Sequence, residues 1–396
     1  MDCGHHLRIA WSGSQSTTLL RGARYPLGVR IVHVIARFNQ GGTAGWLNVL
    51  IEGQRREGNE VFLLSGKVQG NENEDSRFAD LGGLHIQGLG RSISLSKDFK
   101  VFWALRKKLI ELGPDVINTH TAKAGLIGRL AARSIFKRKI AIIHTFHGHI
   151  LYGYFGKVKT SIFAELERVL GRVSNVLLVS GIRVKDELLS KGIGRESQYI
   201  VVRPGVPPVT TLSRNSAREK LSISENQIVI GWLGRLTEIK RPDRALELAK
   251  QIPNYIFILG GDGELLESLK ESAPKNVILT GWTTPAEIWS ASDIALLTSD
   301  NEAQPISLVE AASAGLPLIG EDVGSVSEVI QNTVNGFLTS GFDSRLSAVQ
   351  RLARDPEMRH RMGKAAKLTS SELFGVEQFL ATHSQAYEKA LQMRHK

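Results

Sequence analysis

From Val29 onward, two patterns of apolar and polar positions take turns along the chain. Val29–Ala36 is a short run of mostly β-branched apolar residues, the mark of a strand buried on both faces. Gly41, Gly42 and Thr43 form a turn, and from Ala44 to about Arg56 apolar residues recur at helical spacing. Glu60–Ser65 reads as a second strand. Asp98–Leu112 reads as a helix with Val101, Phe102, Leu105, Leu109 and Leu112 on or near one face, stopped by Pro114. A strand over Asp115–Asn118, a helix over Ala122–Phe136, a strand over Ile140–Thr145, a helix over Val158–Val173 and a strand over Val176–Ser180 follow. Apolar strands alternating with amphipathic helices predict a parallel sheet covered on both faces.

The alternation breaks at Pro204-Gly205-Val206-Pro207-Pro208 and a polar stretch after it, which reads as a linker. It then restarts with strands at Ile228–Leu233, Tyr255–Leu259, Val277–Leu279, Ile294–Leu297 and Leu316–Ile319, and turns helical from Asp343 to the end. The expected architecture is α/β: two tandem doubly wound domains, spanning 28–206 and 207–375. Ligands of such sheets sit beyond the carboxyl ends of the strands, so two facing domains create a cleft. Residues 1–27 read as a disordered extension: between Asp2 and Glu52 there is no acidic residue, and no amphipathic period is clear.

Charge adds an asymmetry. Residues 1–205 carry 30 Lys+Arg against 16 Asp+Glu, a net +14, whereas residues 206–396 carry 20 against 23, a net −3. A basic half points to a polyanionic surface docked by the first domain alone. The single cysteine, Cys3, excludes an internal disulfide framework and a thiolate zinc cage. No apolar run approaches the roughly 18 residues of a membrane-spanning helix, so a soluble or peripheral protein is expected, cytoplasmic and at the inner face of the plasma membrane.

Four constellations can carry chemistry. Gly41-Gly42-Thr43 sits at a strand-to-helix turn, where a backbone can approach an anion, though such turns are common. Gly234–Pro242 follows a strand and holds Arg235, Lys240 and Arg241; a planar fork and a point charge together can clamp a diphosphate. Residues 299–315 place Glu302 in a loop, Pro305 at a helix start and Glu310 inside that helix. Free N–H groups near Ser307 and Leu308 can receive phosphate oxygens there, and the two carboxylates can accept from hydroxyls on either side. A sugar nucleotide has that pattern of groups. The fourth is a histidine cluster, His144, His147 and His149, with His120 ending another strand. A histidine polarising a substrate hydroxyl fits it better than a metal site, since the chain lacks Asp-x-Asp and no carboxylate pair stands nearby.

Together these residues resemble glycosyltransferase family 4, over roughly residues 29–390. The likeness rests on Glu302-x7-Glu310 followed by Ala311-Ala312-Ser313-Ala314-Gly315-Leu316-Pro317, on Gly234-Arg235-Leu236 with Lys240, on Gly260-Gly261-Asp262-Gly263-Glu264, and on Asp322–Val329. In the first half it rests on Asp115–Gly125 and Thr145-Phe146-His147-Gly148-His149. The resemblance implies a GT-B fold, two Rossmann-like domains facing across a cleft, with a final helix over Val376–Leu391 crossing back so that 376–396 complete the first domain. It implies a retaining enzyme that uses a nucleotide diphosphate sugar, UDP-linked, without a cofactor or metal. Arg235 and Lys240 would neutralise the diphosphate, and Ser307 and Leu308 would offer backbone N–H groups. Glu310 would bind the ribose, Glu302 the transferred sugar, and Gly281–Trp282 would lie near the base. Gly42 would approach the diphosphate from the other domain, and His147 would touch the sugar. Ala303 and Gln304 depart from the family's usual residues and would lie beside the donor sugar.

The acceptor is read from the first domain. Phe99–Lys108 is a basic amphipathic helix, and 150–159 mixes aromatics with cations. A saccharide or polyprenyl-diphosphate-linked acceptor in cell-surface polysaccharide or glycolipid synthesis fits both, with His120, Tyr152 and Lys157 as its contacts and an anionic membrane surface beside it. No nucleic-acid-binding signature is present. A nucleotide-sugar epimerase of the same architecture, or a non-catalytic membrane-associated scaffold, are the competing readings.

Overall fold

The computed structural model describes residues 28–68, 73–90, 94–136, 139–148 and 157–394; the 1–27 extension lies outside them. The first half is a parallel sheet built from β1 (Arg30–Ile35), β2 (Glu60–Ser65), β3 (Leu84–His85), β4 (Val116–His120), β5 (Ala141–Phe146), β6 (Val176–Val179) and β7 (Tyr199–Val201), in the order β3-β2-β1-β4-β5-β6-β7. The second half holds β8 (Val229–Leu233), β9 (Ile256–Gly260), β10 (Val277–Gly281), β11 (Ile294–Leu297), β12 (Leu318–Glu321) and β13 (Gly336–Thr339), in the order β10-β9-β8-β11-β12-β13. Each order reverses at one place, between β1 and β4 and between β8 and β11. There the flanking loops diverge and leave a crevice at the strands' carboxyl ends.

The strands are apolar throughout because helices cover both faces. In the first sheet one face packs under α3 (Leu95–Leu112), α4 (Ala122–Arg133) and α5 (Lys157–Val173). The other takes α1 (Gly42–Arg56) and the final helix α14 (Val376–Met393). Phe379, Ala386, Tyr387 and Ala390 of α14 share one apolar core with Ile31, Leu47, Leu50 and Val176, so the last helix completes the first domain. The chain passes between the sheets twice, and the passages touch: Val206 N–H donates to the Phe374 carbonyl at 2.9 Å.

In the second half α8 (Pro242–Gln251), α10 (Pro285–Ala291) and α11 (Ile306–Ser313) follow β8, β10 and β11. Helices α12 (Phe342–Arg354) and α13 (Pro356–Leu373) then lead to α14. Strands β3, β7 and β13 have no counterpart in the hydrophobic pattern. The first two span two and three residues, and β13 opens on Gly336, too little for a period to register.

Candidate functional site

The loops at the two reversal points face each other. After β1 the chain turns at Gly41 into α1, and Gly42 abuts the other half so closely that a Cβ there would stand 3.3 Å from Ile306 Cγ1 at the start of α11. Beyond β5, Gly148 lies against Ala303. Glu302 and α11 of one domain therefore sit opposite Gly42 and His147 of the other.

Lys240 and Glu302 meet within this site. Lys240 Nζ is 2.5 Å from Glu302 Oε1, and Ser299 Oγ donates to the same oxygen at 2.7 Å. Glu302 is buried and Lys240 partly so. The Glu302 backbone is also fixed. Its carbonyl accepts from Ser325 N–H at 3.0 Å, and Gly324 passes so near that carbonyl that a side chain there would collide with it. Arg235 follows β8 and is exposed at the cleft rim. The preceding Gly234 is bonded to the Gly260 carbonyl at 3.0 Å, which ties the β8 and β9 turns together.

Glu310 projects from α11 toward α10 and is half-buried. Burial pushes its carboxyl up to about 7, and the indole N–H of Trp289 lies beside it without completing a hydrogen bond. A carboxyl under-supplied with donors is suited to receiving ligand hydroxyls. Ser307 N–H has no acceptor among the described residues. The Leu308 N–H, expected to be free, is not: it donates to the Pro305 carbonyl at 2.9 Å, because Pro305 opens α11 with a tight turn, and the leucine side chain is fully buried. Leu308 thus packs the helix and does not face an anion. Gly281 ends β10 with φ 67, and Trp282, 67% exposed, stands on the rim beyond it.

Ala303 and Gln304, expected beside the donor sugar, lie where the two halves meet. Gln304 Nε2 donates to the Ser180 carbonyl at 3.0 Å, and Ala303 packs against the apolar group of Phe146 and Val179.

The expected histidine cluster is rearranged by the pleat. His144 and Thr119, paired across β5 and β4, point toward α4, where they bond to each other at 2.9 Å. His120, one position on, points to the opposite face, beneath His147, with its Nδ1 2.9 Å from His147 Nε2 and its Nε2 3.0 Å from His33 Nδ1. His120 is completely buried and both its nitrogens are engaged, so it cannot touch an acceptor as expected. His33 was not singled out by the pattern; it sits inside an apolar strand, and only the β1–β4 register brings it to His120. His147 packs edge-on to Trp46 of α1 at 5.0 Å between ring centres. Desolvation holds His147 down to about 3 and His33 to about 4, so both are neutral at pH 7. The residue after His120, Thr121, has φ 68, and its hydroxyl accepts from Ala36 N–H at 3.3 Å across the reversal point. Such strain on a non-glycine residue persists only where the surroundings fix it. His149 and Tyr152 lie outside the described residues, and Lys157 begins α5. Among the described residues no group of three His, Cys, Asp or Glu could hold a metal ion.

Comparison with known proteins matches both halves. The family model described as Glycosyltransferase Family 4 matches residues 40–209, and that described as Glycosyl transferases group 1 matches residues 213–369. UDP-Gal:alpha-D-GlcNAc-diphosphoundecaprenol alpha-1,3-galactosyltransferase of Escherichia coli is 29% identical over 289 residues, 68% of this chain and 74% of that enzyme. The O-antigen biosynthesis glycosyltransferase WbnH, also of Escherichia coli, is 29% identical over 309 residues, 77% of this chain and 84% of its own. Among solved structures, sucrose-phosphate synthase from Thermosynechococcus elongatus superposes with a TM-score of 0.79 at 17% identity, over 92% of this chain and 100% of that one. HepE of Anabaena, in complex with UDP and glucose, superposes with a TM-score of 0.75 at 19% identity, over 90% and 99%.

Proposed function

This chain belongs to glycosyltransferase family 4 and has the GT-B fold, and from that premise we propose that it is a retaining hexosyltransferase moving a sugar from a UDP-sugar to a polyprenyl-diphosphate-linked saccharide of a cell-surface glycan. The observation that carries the reading is the framing of α11: Glu302 before it, Glu310 within it, and Lys240 paired to Glu302 at 2.5 Å, all opposite Gly42. The acceptor class follows the Escherichia coli relative whose name specifies a diphosphoundecaprenol substrate.

The diphosphate is received by Arg235, Lys240 and the Ser307 N–H, with Gly42 close enough to exclude water from the other side. Glu310 accepts from the ribose, the base lies by Gly281–Trp282, and Glu302 and His147 hold the transferred sugar. Lys240 then has two partners: it orients Glu302 before the donor arrives and shares its charge with the phosphates afterwards. Catalysis is placement plus stabilisation of the departing diphosphate. The anomeric carbon–phosphate oxygen bond breaks as the acceptor oxygen bonds to the same face, and the acceptor proton passes to the departing phosphate oxygen. Fixed cations and a helix end supply the positive potential, so turnover is expected to survive EDTA; loss on chelation and recovery with a divalent ion would reject this account.

The outer face of α3, α4 and α5 supports a seat on an anionic membrane. Phe99, Trp103 and Ile110 of α3, Leu130 of α4, and Ile162 and Val169 of α5 are each exposed, with the Phe99 and Trp103 rings 6.1 Å apart. On the same three helices Lys97, Lys100, Lys107, Arg133 and Arg172 are also exposed. No described helix is long and apolar enough to cross a membrane. The decisive experiment measures UDP release from UDP-galactose, UDP-glucose and UDP-N-acetylglucosamine, with and without N-acetylglucosaminyl-diphosphoundecaprenol, and examines the sugar product by NMR. Acceptor-dependent release with an α-linked product is expected. Interconversion of the free nucleotide sugars without acceptor would identify an epimerase instead, and no release from any donor would reject the proposal.

A further inference from the structure

Behind the cleft a line of imidazoles runs from the core to the site. Gln54 Oε1 on α1 is 2.8 Å from His33 Nε2, His33 Nδ1 is 3.0 Å from His120 Nε2, and His120 Nδ1 is 2.9 Å from His147 Nε2. Gln54, His33 and His120 are all buried. Each nitrogen-to-nitrogen contact holds one proton, so the position of the first proton dictates the next. The Gln54 carbonyl oxygen can only accept. His33 therefore carries its proton on Nε2 and accepts on Nδ1; His120 donates from Nε2 and accepts on Nδ1; His147 donates from Nε2. The series ends on His147 Nδ1 as a bare lone pair. That atom has no partner among the described residues.

We propose that Gln54 is a positioning residue that orders the protons of His33, His120 and His147, so that His147 presents an acceptor, and not an N–H, to the donor sugar. The inference rests on the assignment of His147 to the transferred sugar. A lone pair at that point requires an O–H or amide N–H donor from the sugar; a carbonyl, methyl or ring oxygen cannot supply one. Specificity for a donor group thus originates in an amide three residues behind the contact. The surroundings keep the line uncharged. Arg55 on α1 bears on His33 and Arg129 on α4 on His144 of β5, both disfavouring charge, His383 on α14 flanks the line, and burial lowers all of these histidines below the usual range. The Gln54 amide also lies against Tyr387 of α14, whose hydroxyl accepts from Asn118 Nδ2 at 2.8 Å, so a second buried contact bears on its orientation.

The test begins with the wild-type full chain, labelled with ¹⁵N-histidine, in a two-bond ¹H–¹⁵N correlation spectrum near pH 7.5. His33, His120 and His147 should all show the Nε2–H pattern. An Nδ1–H pattern or an imidazolium at any of the three overturns the proton order. Gln54→Met then removes the acceptor at similar volume. Turnover, read as UDP release from UDP-galactose, should fall about tenfold with the affinity for UDP alone unchanged, and Nδ1–H should appear at His147. Wild-type turnover in a folded Gln54→Met variant overturns the positioning role. His147→Ala separates the two levels: unchanged turnover there removes the sugar contact that the inference rests on, whereas strongly impaired turnover in that variant together with an Nδ1–H pattern at His147 of the wild type rejects the proton order alone.

Discussion

At the residue scale the pairing of Lys240 with buried Glu302 makes the two cations of the donor loop behave differently. Replacing either Arg235 or Lys240 with Ala should remove about 2 to 4 kcal/mol of transition-state stabilisation from donor turnover. Lys240→Ala should also lower the melting temperature, because it leaves a buried carboxylate without its partner, whereas exposed Arg235 should leave it unchanged; steady-state kinetics and thermal unfolding of both variants check this. Glu310 gives a pH signature. Its carboxyl moves from 4.5 to about 7 on burial, so the folded state holds a proton that the unfolded chain has lost between those values. Stability is therefore lost as pH rises from 4.5 through 7, and the full penalty, on the order of 2 kcal/mol, applies above that. Glu310→Gln should be more stable than wild type at pH 8 and equal to it near pH 4, with UDP bound more weakly at pH 8. A melting-temperature difference that does not grow with pH would contradict the burial account. The two glutamates and Lys240 were legible from spacing, because their chemistry is set within one loop and one helix. Gln54 and His33 were not, since each looks like an ordinary member of an apolar element until strand register puts them in line with His120.

At the scale of elements, what the pattern conveys is burial, and it is silent where burial is slight. The alternation of strand and helix was readable from Val29 to Ile319 because both sheets are covered on both faces. Strands β3 and β7 escaped because short edge strands carry no period, and Leu84 and His85 are both exposed. Helix α3 is the reverse case: its buried stripe of Val101, Leu105 and Leu109 was visible in sequence, and so was its apolar outer edge. Phe99 and Trp103 stand one turn apart on that edge, 64% and 50% exposed, with Arg106 stacked over the Trp103 ring at 5.5 Å. Exposed aromatics among cations are a geometry for insertion at an anionic interface, each surface cation contributing up to about 1 kcal/mol. Binding should require anionic vesicles and weaken as salt rises. Phe99→Ser with Trp103→Ser, or Lys100→Glu with Lys107→Glu, should reduce it several-fold while donor turnover in solution stays at the wild-type level. Equal partitioning onto neutral and anionic vesicles would assign the basic half to a soluble acceptor.

At the scale of the molecule the two sheets are joined at two kinds of contact, with different consequences for the cleft. The chain passages at Val202–Val206 and Phe374–Phe379 are anchored at both ends by buried apolar residues, with Val202 and Phe379 in one core and Val206 and Phe374 in the other. They form a pivot that cannot open without exposing core. At the cleft, polar links stand beside the apolar contacts of Gly42 and Ala303. Gln304 reaches the Ser180 carbonyl, Arg183 Nη1 reaches the Gly324 carbonyl at 3.1 Å, and Arg183 N–H reaches Glu328 Oε1 at 3.3 Å. The Arg183 links are exposed and individually weak, while the Gln304 link is buried; with both removed the domains should part at the cleft while holding at the pivot, and hinge motion of this type gates substrate entry and product release. Gly324 couples the latch to the chemistry, because the carbonyl that Arg183 holds belongs to the residue packed on the Glu302 backbone. Arg183→Ala with Gln304→Ala should therefore enlarge the radius of gyration measured by small-angle scattering in the absence of donor. Added UDP should restore the compact value if, as proposed, both domains contact the nucleotide. Turnover should fall several-fold, with the midpoint for UDP shifted upward by the free energy of closing the latch unaided. A double variant as compact as wild type, with unchanged turnover, would show that the apolar pivot alone sets the closed state.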